Sequence, residues 1–180
     1  LGDEIDLHAG GEDLIFPHHE NEIAQSEAAN GVPFAKYWLH NAFLNIDNKK
    51  MSKSLGNFFT VREIGEKSDL QVLRFFMLSA HYRSPLNFSA DLMEAAKSGL
   101  ERIVTAAENL QRLSGSTAGE LSEAEKDLLN QSHAYQEKYE AAMDDDFNTA
   151  DAVSAVFEYV KFCNTNVSGE NSKAYIDALY

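Results

Sequence analysis

Cysteine is almost missing from this chain: Cys163 is the one thiol in 180 residues. A disulfide framework is thereby excluded, and no zinc site built on cysteines can be completed within the sequence. No apolar run approaches the roughly 18 residues of a membrane-spanning helix, and no basic segment leading into an apolar stretch marks an export signal. A cytoplasmic setting without a membrane partner is the expectation. Lysine and arginine are absent from residues 1–35, which carry eight acidic side chains. A methionine start is also lacking, and a new helical pattern has only just opened where the sequence reaches Tyr180, so we expect a piece of a longer protein.

What is present suffices for a buried core, with 44% hydrophobic and 11% aromatic residues. The net charge of −14 taken alone argues against a nucleic-acid partner, yet the charge is unevenly spread. Residues 36–83 hold eight basic against four acidic side chains, whereas residues 91–180 hold seven against seventeen. Any RNA contacts in the acidic half are therefore expected to be few and local.

Glu4–His8 alternates polar and apolar residues and predicts a short strand running into a turn at Ala9-Gly10-Gly11. Pro17 suits the first turn of a helix over Pro17–Ala29, with Glu20 and Glu22 near its positive end and Asn30-Gly31 stopping it. Tyr37–Ile46 reads as one or two buried strands, and Asp47-Asn48-Lys49 opens a polar loop reaching Asn57. Thr60–Glu63 and Ser68–Gln71 each match the capping box, in which a hydroxyl and a carboxyl or amide satisfy free N–H groups reciprocally; the second helix should end near His81. Leu92, Ala96, Leu100, Ile103, Ala107 and Leu110 form an apolar helix face that breaks at Gly115–Gly119. Ser122–Glu125 is a third capping box, opening a helix through about Ala142, and further helices are expected from Asn148 and Asn171. The fold class is thus α/β followed by all-α, changing near Phe88–Ala90.

Three constellations carry chemistry. Lys50-Met51-Ser52-Lys53-Ser54 places two lysines three apart in a polar loop with a glycine hinge at Gly56, able to wrap a triphosphate and stabilise charge on a leaving pyrophosphate. In Phe16-Pro17-His18-His19-Glu20-Asn21-Glu22, His18 and Glu22 stand at i and i+4, so an imidazole and a carboxylate can converge on one metal ion; His19 with Glu22, at i and i+3, is a rival pair. Between strand and helix, His8-Ala9-Gly10-Gly11-Glu12-Asp13 offers glycines that let backbone approach a nucleotide and a carboxylate that can accept from hydroxyls. Asp144-Asp145-Asp146 lacks the spacing of a calcium loop and reads as the approach to a helix N-terminus.

In this order and spacing, Gly10-Gly11, Phe16–Glu22, Ile23–Ser26, Lys50–Thr60, His81–Ser84 and Asp144–Thr149 resemble the cysteinyl-tRNA synthetases, class I enzymes whose signature loop is the Lys50–Ser54 string. The resemblance implies that residues 1–58 are the C-terminal part of a doubly wound (Rossmann-type) catalytic domain, 59–88 a connecting segment contacting the acceptor stem, and 89–180 an incomplete helical bundle on the tRNA side. It implies activation of L-cysteine with ATP and transfer of the cysteinyl group to tRNA(Cys). Lys50 and Lys53 would serve catalysis; Lys53, Ser52, Gly10 and Gly11 would bind ATP; Asp13 and His8 would lie against substrate. His18 and Glu22 would be two of four ligands to one Zn2+ ion per parent chain. Shape alone separates cysteine from serine by only about 1 to 3 kcal/mol, whereas a thiophilic ion exploits the softness of sulfur.

Ala9 stands where family members usually have a third glycine, and the family's two cysteine ligands and its His-x-Gly-His motif are not in this sequence. The chain by itself is accordingly expected to be inactive and the parent monomeric. Two other readings stay open: a related cysteine ligase with an amino-sugar acceptor, and a non-catalytic RNA-binding or scaffolding module.

Overall fold

The computed structural model describes residues 2–51, 56 and 59–180, with Lys50 by its backbone alone. It divides into two compact units, residues 1–59 with 82–89, and residues 60–81 with 90–180. Residues 59–88, expected as one connecting segment, are shared between them.

The first unit is built on a parallel pair, β1 (Ile5–Gly11) and β2 (Ala35–Asn41), crossed over by α1 (Glu20–Asn30). Parallel strands need such a crossover because their ends lie at opposite edges. β1 runs three residues further than its alternation predicted. Gly10 and Gly11 end the strand instead of forming a turn, because their backbones pair with His40 and Asn41. The chain then makes a 3-10 turn, Glu12–Leu14, and a wider turn, Ile15–His19, before regular helix begins. Pro17 therefore lies ahead of α1 and not in its first turn: Phe16 is extended (φ −132°, ψ 132°), the Phe16–Pro17 peptide is cis, and His19 is the N-cap. Gly31 stops α1 in the left-handed region at φ 72°, its N–H donating to the Glu27 carbonyl.

A second sheet in this unit has the order β4-β3-β5, with β3 (Leu44–Ile46), β4 (Lys49–Lys50) and β5 (Leu86–Phe88). Asp47 and Asn48, expected to open a loop, form a two-residue hairpin turn, with φ 47° and 62°. Such a turn requires two left-handed residues, which Asp and Asn tolerate better than other side chains. The Asn48 N–H donates to the Asn87 side-chain oxygen at 2.7 Å, tying the turn to β5.

In the second unit, α2 (Val61–Gly65) starts at the Thr60–Glu63 capping box as expected. α3 (Leu70–Leu78) is capped one residue later than expected, by Asp69, whose carboxylate accepts from Gln71 N–H at 2.8 Å. The Ser68 backbone is instead engaged in closing α2, donating to the Ile64 carbonyl. α4 (Ala90–Ser114) buries Met93, Ala96, Ala106, Leu110 and Leu113. Of the predicted face, Ala96 and Leu110 are buried and Leu100 and Ile103 partly so, while Leu92 is 44% exposed and Ala107 lies at the surface.

α5 (Glu123–Asp144), α6 (Thr149–Asn166) and α7 (Lys173–Leu179) complete the unit. The core gathers Leu110, Leu113, Phe162, Cys163, Tyr175, Ile176 and Leu179, with Tyr135 and Tyr159 packed on its edge. Tyr175 and Ile176 are wholly buried, so the shortest of these helices supplies the centre. Glu125, the reciprocal member of the Ser122 capping box, is 7% exposed and also accepts from Ser172 N–H and Oγ at 2.7 and 2.9 Å. One carboxylate thus caps two helices.

Asp145 ends α5, while Asp146 and Phe147 follow at φ 55° each; Asn148 caps α6, its side chain accepting from Asp151 N–H. No described helix is long and apolar enough to cross a membrane.

Candidate functional site

At the C-terminal end of β1, side chains from three elements meet. The β1–β2 register sets His8 opposite Trp38 and Gly10 opposite His40, and residues two apart on a strand share a face. His19, 5% exposed, arrives from the turn before α1, and Glu22 from the helix's first turn. The imidazoles of His8 and His19 lie with ring centroids 4.7 Å apart, His19 and His40 at 4.9 Å, and Trp38 sits 5.0 Å from His8 and 5.2 Å from His19.

Polar contacts fix these rings. His8 Nε2 donates to Glu22 Oε2 at 2.6 Å. His19 Nδ1 and His40 Nε2 share a hydrogen bond at 2.7 Å, in which one imidazole must donate and the other accept. Burial, and behind it the neighbouring His8, hold His19 below the ordinary imidazole range. The other edge of His19 lies over Gly10: a Cβ there would stand 3.0 Å from His19 Cε1 and 2.8 Å from a Leu14 methyl. A Cβ on Gly11 would come within 2.6 Å of Asp13 Oδ1, so the Asp13 carboxylate is folded over the end of the strand. The buried His19 ring leaves little room for a side chain on Gly10, whereas at Gly11 the contact is with the end of the Asp13 side chain, which can turn away.

Ligand atoms of His8, His19 and Glu22 all lie within 4.8 Å of one another. Two imidazole nitrogens and one carboxylate oxygen suit zinc, which accepts mixed nitrogen and oxygen donors. The rival pair His19 and Glu22 is therefore brought together. His18 is exposed in the turn ahead of α1, with no hydrogen bond or ion pair among the described residues. Lys50 is placed by its backbone in β4, opposite Asn45. Ser52 and Lys53 lie outside the described residues. His40 and Trp38 were not singled out from sequence. Their signal is the two-residue step shared with His8 and Gly10, legible once β1 and β2 are paired in register.

The sequence profile of the tRNA synthetases class I (C) catalytic domain matches residues 1–98, more than half of the chain. This chain belongs to the class I cysteinyl-tRNA synthetase family. The profile of the DALR domain matches residues 138–180, within the helical unit. A cysteine–tRNA ligase of Lachnospira eligens is 69% identical over 99% of the chain, and one of Lachnoclostridium phytofermentans is 62% identical over 99%. The chain spans 38% and 39% of those two proteins. Among solved structures, the LeuRS of Agrobacterium radiobacter, in a ternary complex with tRNA and LeuAMS, superposes with a TM-score of 0.75. It covers 97% of this chain and 24% of its own at 19% identity, which is a likeness of fold. The class I catalytic fold followed by a helical domain is thereby established.

Proposed function

We propose that this chain is part of an enzyme that activates L-cysteine with ATP and transfers the cysteinyl group to tRNA(Cys). The observation that carries this reading is identity with two cysteine–tRNA ligases along essentially the whole chain. Asp13 and His8 hold the amino acid at the end of β1. Gly10 and Gly11 let the backbone approach the adenylate, Lys50 and Lys53 neutralise the phosphates, and the Ser52 hydroxyl donates a hydrogen bond to them. Taken alone, the 180 residues are expected to be inactive, since such relatives are far longer.

Zinc fits the donor chemistry around Glu22. We assign Glu22 and His18 as ligands: His19 is buried, bonded to His40 and pressed on Gly10, whereas His18 is free among the described residues to turn toward an ion. The convergence of His8, His19 and Glu22 supports a second ligand set, with His19 in place of His18. When bound, the ion supplies a soft Lewis acid for the substrate thiolate, which is how sulfur would be told from oxygen. His19 and His40 then act as the packed floor that holds Gly10 and β1 in place.

The test is pyrophosphate exchange with the full-length protein. Cysteine-dependent exchange, at least a hundredfold weaker with serine, and charging of tRNA(Cys) are expected. Absence of exchange, or cysteine transfer to an amino sugar in place of tRNA, would refute the reading. For the metal, His18→Asn should lose zinc by elemental analysis while His19→Asn keeps it; the reverse pattern would install the second ligand set.

A further inference from the structure

Along the stretch from Ala90 to Tyr180, basic side chains are few and nearly all are engaged. Lys97 pairs with Glu94, Lys126 with Glu123, Lys138 with Glu158 and Lys173 with Asp177, while Arg112 donates to the Asn109 side chain. Arg102 and Lys161 are left: neither has a hydrogen-bonding or ionic partner among the described residues. Both line the same groove, between α4 and α6, with a volume of about 970 Å³. In a half of the chain with seventeen acids against seven bases, the two unpaired cations of this stretch share one wall-to-wall depression.

The groove is held in shape. The Arg102 guanidinium stands 5.0 Å over the ring of Phe157. That ring meets Phe75 edge-on at 6.3 Å and lies where a Cβ on Gly99 would touch it at 3.4 Å. A stacked guanidinium keeps its N–H edge free and loses little freedom on binding, which suits bidentate contact with phosphate oxygens. Asn109, Asn164 and Thr105 add uncharged donors and acceptors. Two carboxylates also line the groove, but Glu158 is taken by Lys138, so among the described residues one unpaired carboxylate, Glu101, stands against two unpaired cations. Ser98, Arg102, Thr105 and Asn109 follow one helix face over eleven residues, about 16 Å at 1.5 Å per residue.

We propose that the α4–α6 groove binds the sugar–phosphate backbone of an RNA strand, with Arg102 and Lys161 each contacting a phosphate. This rests on the reading of the protein as a tRNA-charging enzyme and gives its acidic helical half a specific place of contact. RNA is favoured over a small anion because the lining extends along the helix for longer than one phosphate and sets hydroxyl and amide groups beside the two cations, as a phosphate chain with ribose hydroxyls requires.

Binding of fluorescent tRNA(Cys) to the full-length protein should be measured by anisotropy from roughly 50 to 200 mM salt. One phosphate contact changes affinity about 3.5-fold over that fourfold range, so two account for about twelvefold. Arg102→Gln with Lys161→Gln should flatten the log–log slope by about 1 to 2, whereas Arg102→Lys should leave it nearly unchanged and Glu101→Gln should tighten binding about two- to fourfold. Cysteine-dependent pyrophosphate exchange should be intact in all of them. If the parent shows no exchange, the functional reading fails; if exchange is normal and the double variant binds tRNA with the parent's slope, the groove assignment fails. Inorganic phosphate binding that the double variant loses, with tRNA affinity unchanged, would also overturn the assignment to RNA.

Discussion

Replacing Glu125 by glutamine tests how the helical unit is tied together. Its Oε2 accepts from Ser122 N–H and Oγ, both at 2.9 Å, and from Ser172 Oγ at 2.9 Å; its Oε1 accepts from Ser172 N–H at 2.7 Å and from Asn171 at 3.4 Å. Those donors, led by the Ser122 and Ser172 backbone N–H groups, pull the carboxyl from its ordinary 4.5 down to about 2, against the opposing effect of burial. A shift of that size corresponds to about 3 kcal/mol of stability at neutral pH, an order-of-magnitude figure. Because the folded pKa is depressed, this contribution is complete above about pH 4.5 and is lost as pH falls from there toward about 2. Glutamine keeps one acceptor oxygen but turns an amide N–H2 toward donors. At pH 7 the variant should lose about 2 to 4 kcal/mol, melting roughly 5 to 12 °C lower, and the gap should shrink on acidification. Thermal melts by circular dichroism at pH 7, 5 and 3, with Ser172→Ala completing a double-mutant cycle, provide the measurement. A variant within about 2 °C of the parent at pH 7, or a gap independent of pH, would refute the reasoning.

Two tyrosines in the core should respond in opposite ways to loss of the hydroxyl. Tyr175 OH is buried with no hydrogen-bond partner among the described residues, so Tyr175→Phe should be neutral or stabilising by up to about 1 kcal/mol; Tyr159 OH donates to the Leu179 carbonyl at 2.6 Å, so Tyr159→Phe should cost about 1 to 2 kcal/mol in chemical denaturation. Cys163, 2% exposed and with its thiol pushed up by burial, should react with an aromatic disulfide reagent only after denaturant is added; fast labelling of the native protein would contradict its packing. Gly10→Ala places a methyl 2.8 Å from Leu14 and 3.0 Å from His19, and should abolish cysteine-dependent pyrophosphate exchange while leaving the acid-dependent melting of the Glu125 clasp unchanged.

Features written in adjacent residues were the most legible, although at Ser68–Gln71 the cap fell to Asp69 because the Ser68 backbone closes α2. Thr60 with Glu63 and Ser122 with Glu125 cap the helices that their spacing announces, because a capping box is closed within four residues. What depended on distant partners was hidden. The extension of β1 through Gly11 requires β2, and the second role of Glu125 requires Ser172, 47 positions away. The candidate site shows the same divide. His8, His18, Glu22 and the two glycines stand out in sequence, whereas His40 and Trp38 join them only through strand register. Two members of the predicted α4 face miss the core for a related reason: Leu92 and Met93 are both apolar, as are Ala106 and Ala107, and only packing chooses between neighbours.

The division of the chain between its two units has a consequence for how this stretch can be dissected. The backbone passes from one unit to the other at 59–60, returns at 81–82 and leaves again at 89–90. Three crossings mean that no single cleavage releases either unit intact, and that a truncation near residue 89 would keep α2 and α3 while stripping them of α4, on which α3 packs. Strand β5 is supplied only after the chain has already passed through two helices of the other unit, so a nascent chain cannot finish the β4-β3-β5 sheet before starting the second unit. A protease nick at one crossing should therefore leave the other two connections of the backbone intact.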